Sequence, residues 1–162
     1  MTQEQLIVEI QKIPWFHELK PEHLKSMAGI AQLRHFKAGE TLFREGDKQD
    51  FVYVMLEGRV ALDMFVPHRG KVRFYTAEPW DVFGWSSVTP TIHTRTASAI
   101  AVIDGKAAAF DAQKLRQLSE EDHDLGYLVM RRMANIVASR LMITRLQLLD
   151  MFAATPSETP ND

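Results

Sequence analysis

The sequence contains no cysteine among its 162 residues. Disulfides, thiolate-bound metals, cysteine-ligated iron–sulfur clusters and a thiol nucleophile are therefore excluded. The sequence also lacks any apolar run approaching the roughly 20 residues that cross a bilayer. Its opening segment, MTQEQLIVEI, has no signal-peptide pattern. These absences predict a cytoplasmic protein without a membrane anchor.

A dominant charge is missing as well. Nineteen Lys and Arg residues are balanced by 21 Asp and Glu residues, which gives a formal net charge of −2. No basic patch interrupts this mixture, so we expect no binding to nucleic acid or to an anionic membrane. The hydrophobic fraction of 46% is typical of one soluble globular domain.

Motifs of the common catalytic sites are absent too. The six histidines are scattered, no pair has the HxH or HExxH spacing of metal enzymes, and no GxSxG motif occurs. We therefore expect neither catalysis nor a bound metal. One alternative stays open from the sequence alone, a haem-type gas sensor in which His35 or His93 is the axial ligand.

Hydrophobic periodicity divides the chain into three parts. Helical spacing marks the N-terminal third, where TQEQLIVEIQK and PEHLKSMAGIAQL flank a PWFHEL turn. From about residue 33 to about residue 110, short β-type runs recur at intervals of roughly 8–12 positions, the rhythm of a β-barrel or sandwich. The runs are RHFK, TLFRE, FVYVMLEG, RVALDMFV, VRFYTA and TASAIAVID, separated by turns that include EGD (45–47), HRG (68–70) and DG (104–105). In RVALDMFV, alternation places one face at Val60, Leu62, Met64 and Val66.

The last part is helical again. Asp111 is expected to cap a short helix ending at Leu118, and a much longer helix should follow over about residues 122–152. Its apolar positions recur at spacings of three and four, close to a heptad seam. This spacing favours a parallel homodimer over packing of the helix on its own barrel, with an interface formed by Met133, Val137, Leu141 and Leu148. Residues 1–152 are predicted to form one domain, and the polar segment 153–162 a disordered tail.

The stretch GETLFREGDKQDFVYVMLEGRVAL, residues 39 to 62, resembles the cyclic nucleotide-binding domain of the catabolite-activator (CRP/FNR) type. The resemblance continues through DVFG and RTASA into the long helix, covering most of residues 14–152. Gly39, Gly46 and Gly58 fall where that family turns between strands. The resemblance implies a mainly β fold, an eight-stranded antiparallel β-roll (jelly roll) with N-terminal helices and a long C-terminal dimerisation helix.

The resemblance also implies a phosphate-binding cassette built from FGWSSV and RTAS. Arg95 would clamp the anion, because a guanidinium offers permanent charge with paired donors. The short helix after Gly84 would add backbone N–H groups. Without the resemblance, Arg95 would be interpreted as a loop arginine that pairs with Asp81. The ligand-binding residues so implied are Gly84, Trp85, Ser86, Ser87, Arg95 and Thr96, together with Thr144 of the long helix.

The sequence departs from the family at two tryptophans. Trp85 stands where the family has a glutamate that accepts a hydrogen bond from the ribose 2′-hydroxyl, and an indole N–H cannot accept one. Trp85 would either stack on a planar ligand or fill the pocket, and Trp80 replaces a glycine near its entrance. Thr144 has two interpretations as well, a nucleobase contact or a polar seam residue that sets helix register.

These patterns predict a regulatory ligand-binding (sensor) domain that takes cAMP, cGMP or another small anionic ligand. The printed sequence ends after the long helix, so we expect no winged helix-turn-helix and no contact with DNA. The alternative is a homodimeric protein-interaction module with a degenerate, ligand-free pocket, acting on an unknown protein partner.

Overall fold

The computed structural model describes residues 3–48, 50–89 and 91–153. Its helices are α1 (Gln3–Ile10), α2 (Pro21–Gly29), α3 (Ala112–Glu121) and α4 (His123–Ala153), with 3₁₀ helices at Pro14–Glu18 and Trp85–Val88. We call the second 3₁₀ helix the cassette helix. Its strands are β1 (Ala31–Phe36), β2 (Thr41–Phe43), β3 (Phe51–Val66), β4 (Gly70–Ala77), β5 (Val82–Phe83) and β6 (Ser98–Asp111).

The strands form one antiparallel sheet in the order β1-β6-β3-β4, with β2 paired to β6 and β5 to β3. This arrangement confirms a mainly β fold with helices on both sides of it in the sequence. The helix predicted to extend to Leu33 ends instead at Gly29. The reason is tertiary, because residues 31–36 pair in continuous register with residues 105–110 of β6.

Over the described residues the sheet has six strands rather than the implied eight, because β3 and β6 each run through a predicted break. At the crossing of these strands, a Cβ on Gly58 would lie 2.7 Å from the carbonyl oxygen of Asp104 and 2.8 Å from the Cα of Gly105. Register shifts on both sides of Glu57 accommodate this close approach. The DG pair at 104–105 is therefore a backbone crossing inside β6 and not a turn.

The predicted alternation in RVALDMFV holds for half of its length. Val60 and Leu62 belong to the core, whereas Met64 is 41% exposed. The pairing of β3 with β6 ends at Asp63, after which β3 pairs only with β4. Beyond that point Met64 and Phe65 are exposed.

The core of the roll combines aromatic side chains with alanines of β6. Small alanines let the facing strands approach, and the large rings fill the space between them. Its buried members are Phe36, Phe43, Tyr53, Met55, Val60, Leu62, Ala77, Phe83, Ala99, Ala101, Ala107 and Ala109.

Two compact units divide the chain between Gly126 and Tyr127. The first contains the N-terminal helices, the β-roll and α3, whose N-terminus is capped as predicted by Asp111, which accepts a hydrogen bond from Lys114 N. The second consists of α4 from Tyr127 onward, and the predicted tail beyond residue 153 lies outside the described residues. None of the described helices is both long enough and apolar enough to cross a bilayer.

Candidate ligand-binding site

Gly84 joins β5 to the cassette helix in a left-handed conformation, with φ +69°. A Cβ at this position would lie 2.6 Å from Nη1 of Arg95 and 3.1 Å from the carbonyl oxygen of Phe51. Both the backbone conformation and the limited space therefore favour glycine here. The predicted glycine thus lies against the predicted anion clamp.

The backbone of Arg95 is fixed by the turn between β2 and β3. Its N–H donates to the carbonyl of Asp47 at 2.8 Å, and its own carbonyl accepts from Gly46 N at 2.8 Å. Next to it, Thr94 forms a β-bridge with Lys48. The EGD turn predicted at 45–47 is confirmed, and it holds the arginine in place.

The side chain of Arg95 turns inward and is 3% exposed. Its Nη1 donates to the carbonyl of Gly84 at 3.2 Å, and its Nη2 donates to the carbonyl of Phe51 at 2.6 Å. The guanidinium carbon lies 4.1 Å from the ring centroid of Phe43 and 5.8 Å from that of Tyr53. Two backbone segments and two aromatic rings thus surround one cation.

The charge of Arg95 has no anionic partner in the part of the chain that the structure describes. Its Nε is buried without a hydrogen-bond partner, and Arg95 forms no ion pair within the described residues. Burial lowers the pKa of Arg95, an effect opposed by the negative charges of Asp50 and Asp47 at longer range. A guanidinium nevertheless stays protonated in proteins. The site therefore contains a buried positive charge with unused N–H donors.

Asp81, the partner that the sequence alone suggested for Arg95, is engaged elsewhere. Its carboxylate accepts from the hydroxyl of Tyr75 at 2.8 Å and from the N–H of Glu78 at 3.0 Å. The interpretation of Arg95 as a loop arginine paired with Asp81 is therefore wrong. Asp81 instead closes the turn that leads into β5.

The predicted hydroxyl donors differ in availability. Ser86 and Ser87 are both buried, and Ser87 Oγ donates to the carbonyl of Gly84 at 2.7 Å. The carbonyl of Ser87 accepts a short hydrogen bond from Arg116 of α3. Thr96 is exposed beside Arg95. The cassette helix is thus held from both sides, and the proton of the Ser87 hydroxyl is already used within it.

The two tryptophans occupy unlike positions. Trp85 begins the cassette helix and is half-buried. Trp80 is 36% exposed and has a left-handed backbone, with φ +74°, in a turn closed by the hydrogen bond from Asp81 N to Glu78 O at 3.0 Å. Glycine normally occupies such a position. Trp80, which replaces the family's glycine, is therefore a bulky residue in a strained backbone conformation.

The model of the cyclic nucleotide-binding domain family matches residues 33–122, which include the cassette and Arg95. The chain belongs to this family. Membership confirms the family inferred from the glycine spacing and the RTASA motif.

Individual relatives of this cyclic nucleotide-binding domain agree. A cyclic AMP receptor protein of Thermus thermophilus is 31% identical over 126 residues, covering 74% of this chain and 57% of that protein. A CRP-like cAMP-activated global transcriptional regulator of Mycobacterium tuberculosis is 25% identical over 136 residues, covering 84% of this chain and 58% of the regulator. The chain thus spans less than two thirds of the length of these curated relatives.

A solved structure supports the fold. A cyclic nucleotide-binding protein of Geobacter metallireducens has a TM-score of 0.71 at 30% identity, covering 87% of this chain and 98% of that chain. Together with the family match, this likeness identifies the six-stranded sheet as the β-roll of cyclic nucleotide-binding domains.

The predicted residues of the long helix lie in the second unit. Thr144 is exposed, and its hydroxyl donates to the carbonyl of Arg140 in its own helix at 2.9 Å. Burial lowers the pKa of Arg140 to about 10.

Among the seam residues Met133 is buried, while Val137, Leu141 and Leu148 are 38%, 48% and 50% exposed. Their role in a dimer stays a prediction.

Sequence reasoning missed the residues that surround the guanidinium. Phe43 and Tyr53 supply rings, Phe51 supplies a carbonyl, and Arg116 holds the cassette helix. The alternation in FVYVM could have placed Phe51 and Tyr53 on one face, but nothing local ties them to Arg95. The haem-ligand candidates His35 and His93 both have exposed side chains.

Proposed function

We propose that this chain is a regulatory domain that binds a cyclic nucleotide, or another small ligand bearing a phosphate group, at Arg95. One observation carries the proposal: Arg95 is only 3% exposed, and its guanidinium has no anionic partner within the described residues. Burying a cation without a counter-charge is costly. An anionic ligand would supply that counter-charge and use the donors that are free.

The family and its members favour a cyclic nucleotide as this ligand. The matched relatives from Thermus and Mycobacterium are described as a cyclic AMP receptor and a cAMP-activated regulator. In this chain the indole of Trp85 offers no acceptor for a ribose hydroxyl. Recognition would therefore depend on the phosphate group and on apolar or stacking contact, and both cAMP and cGMP are suitable probes.

Binding would act through the contacts that now close the site. Because Arg95 is almost wholly covered, an anion reaches its guanidinium only if the cassette helix or the side chain moves. The cassette helix is tied to α3 by the bond from Arg116 to the Ser87 carbonyl. A single residue, Asp122, separates the end of α3 from the start of α4. The ligand would thus shift the population of arrangements at the start of α4 by its differential affinity for them.

We also propose that the domain is a parallel homodimer through Met133, Val137, Leu141 and Leu148. Three of these side chains are between 38% and 50% exposed, and a second copy of the helix would cover them. Leu148→Lys should give a monomer by light scattering, whereas the matched variant Leu146→Lys, off the seam and 55% exposed in the wild type, should not. A wild-type monomer at tens of micromolar would overturn the dimer.

A non-catalytic role, a cytoplasmic location and the lack of a nucleic-acid partner stay predictions.

Isothermal titration calorimetry with cAMP and cGMP tests the ligand proposal. We compare the wild type with Arg95→Ala and Arg95→Lys, and with Arg69→Ala, which removes one positive charge from an exposed turn. Circular dichroism first establishes that each variant is folded. We expect binding by the wild type and by Arg69→Ala, and a loss of about 2–5 kcal/mol of binding free energy in Arg95→Ala.

Lysine should restore only part of that loss, because an ammonium lacks the planar fork of donors. Equal binding by the wild type and Arg95→Ala would remove Arg95 as the clamp. The absence of heat from either nucleotide at millimolar concentration would overturn the cyclic nucleotide ligand. That result would favour the second candidate, a protein-interaction module with a ligand-free pocket. The burial of Arg95 against the carbonyls of Gly84 and Phe51 is also compatible with this candidate.

A further inference from the structure

The guanidinium of Arg95 lies on a stack of aromatic rings, which we call the aromatic floor: Phe43, Tyr53 and Phe83. The rings of Tyr53 and Phe83 are 4.9 Å apart and 9° from parallel, and that of Phe43 lies 5.8 Å from Tyr53 and 6.3 Å from Phe83. Phe43 is the ring nearest the cation, with its centroid 4.1 Å from the guanidinium carbon.

Such a stack stabilises a buried cation differently from a carboxylate. A carboxylate would occupy the N–H donors and would repel an anionic ligand that approached later. The negative face of an aromatic ring also attracts the cation, but the ring carries no net charge and does not occupy the N–H donors. Two donors of the buried guanidinium are used by the carbonyls of Gly84 and Phe51, and its Nε has no hydrogen-bond partner within the described residues.

We propose that Phe43 is a positioning residue for anion recognition: its ring holds the guanidinium of Arg95 in place and leaves the charge unpaired. This inference rests on the proposed function for its binding consequence. Its structural part, the hold of Phe43 on the guanidinium, can be measured without any ligand.

The test compares Phe43→Leu, which removes the π-face and keeps an apolar side chain, with Phe43→Tyr, which keeps the ring. Phe36→Leu is the matched control, because Phe36 is a buried phenylalanine of the same core and has no ring contact with Arg95 within the described residues. The probes are cAMP and cGMP by calorimetry, together with the ¹H–¹⁵N resonance of Arg95 Nε, assigned by its loss in Arg95→Lys.

We expect Phe43→Leu to weaken nucleotide binding by about 5- to 30-fold, as the loss of a desolvated cation–π contact implies. Phe43→Tyr and Phe36→Leu should stay within about 2-fold of the wild type. In the ligand-free wild type the ring current of Phe43 should displace the Arg95 Nε–H resonance upfield. That displacement should vanish in Phe43→Leu and persist in Phe36→Leu.

Equal nucleotide affinity of the wild type and Phe43→Leu would overturn the inference, and so would an equal loss in Phe36→Leu. An Arg95 resonance that Phe43→Leu leaves unmoved would do the same. If the wild type binds neither nucleotide, the cyclic nucleotide ligand of the proposed function is overturned. A displaced resonance that depends on Phe43 would then still support the hold of this ring on the guanidinium.

Discussion

Arg95 and Lys106 are both cations largely shielded from water in the first unit, and they are stabilised in opposite ways. The Lys106 Nζ lies 3.0 Å from Glu9 and 2.8 Å from Glu57, and its side chain is 16% exposed. Hydrogen bonds to Glu57 and Glu9 raise the pKa of Lys106, whereas burial lowers that of Arg95. Lys106 has the pairing expected of a structural cation, whereas Arg95 has no anionic partner within the described residues, as the proposed anion site requires.

The sharpest test of this contrast is nucleotide affinity. Arg95→Ala should weaken the binding of whichever cyclic nucleotide the wild type binds by about 30-fold or more. Lys106→Met should leave that affinity within about 2-fold, because the charge it removes is already neutralised by two carboxylates. Calorimetry on the two variants checks this, and a comparable loss in both would erase the distinction.

A methyl group at Gly84 should disturb the arginine site next most strongly. Gly84→Ala introduces both strain from the left-handed backbone and a clash with Nη1 of Arg95. Together these should lower the free energy of unfolding by roughly 2–4 kcal/mol. Gly70→Ala separates the two causes, since Gly70 also has positive φ, +78°, but open space around its would-be Cβ. Urea unfolding should show the larger loss at Gly84. Equal losses would mean that the clash with Arg95 has no energetic weight.

At the lysine site the expected effect is on stability alone. Lys106→Met leaves two carboxylates without their shared donor and should lower the unfolding free energy by about 1–3 kcal/mol. Lys37→Met, which breaks the exposed pair with Asp104, should change it little. Thermal or urea unfolding of both variants measures the difference, and similar small losses would show that Lys106 contributes no more than a surface pair.

The smallest expected effect is a pH dependence. Hydrogen bonds from Lys12 and Lys106 hold the pKa of Glu9 below its ordinary 4.5. A carboxylate with a lowered folded-state pKa contributes stability above its unfolded pKa and loses it as the pH falls through the folded value. The wild type should therefore lose stability below about pH 4.5 more steeply than Glu9→Gln. Urea titrations between about pH 3 and 7 test this, and parallel curves would contradict it.

Much of the fold follows from local patterns together with family spacing. The spacing of the glycines and the RTASA motif indicated the family and hence the β-roll, and the resemblance to the family's phosphate-binding cassette implied that Gly84 and Arg95 belong to one site. The break between α2 and β1 was missed because residues 31–33 continue a helical pattern and become a strand only by pairing with β6. Long-range pairing of this kind overrides local propensity.

The surroundings of Arg95 were less accessible from the sequence. The carbonyl of Phe51 and the ring of Phe43 lie more than 40 positions from Arg95 along the chain, and neither a backbone carbonyl nor a core phenylalanine carries a motif. That no carboxylate among the described residues pairs with Arg95 could not be foreseen either, because Asp81 is close in sequence but bonded to Tyr75 and Glu78. Composition reports which charges exist, and only the fold reports which ones are paired.

The crossing of β3 and β6 also restricts which residues positions 58 and 105 can accept. A Cβ on Gly105 would lie 2.1 Å from the carbonyl oxygen of Glu57, and one on Gly58 would lie 2.8 Å from the Cα of Gly105. Each glycine meets backbone, so no shrinking of a neighbouring side chain can compensate for a substitution at either position. Any side chain at either position therefore requires β3 and β6 to move apart at this crossing, although the two glycines lie far apart in the sequence.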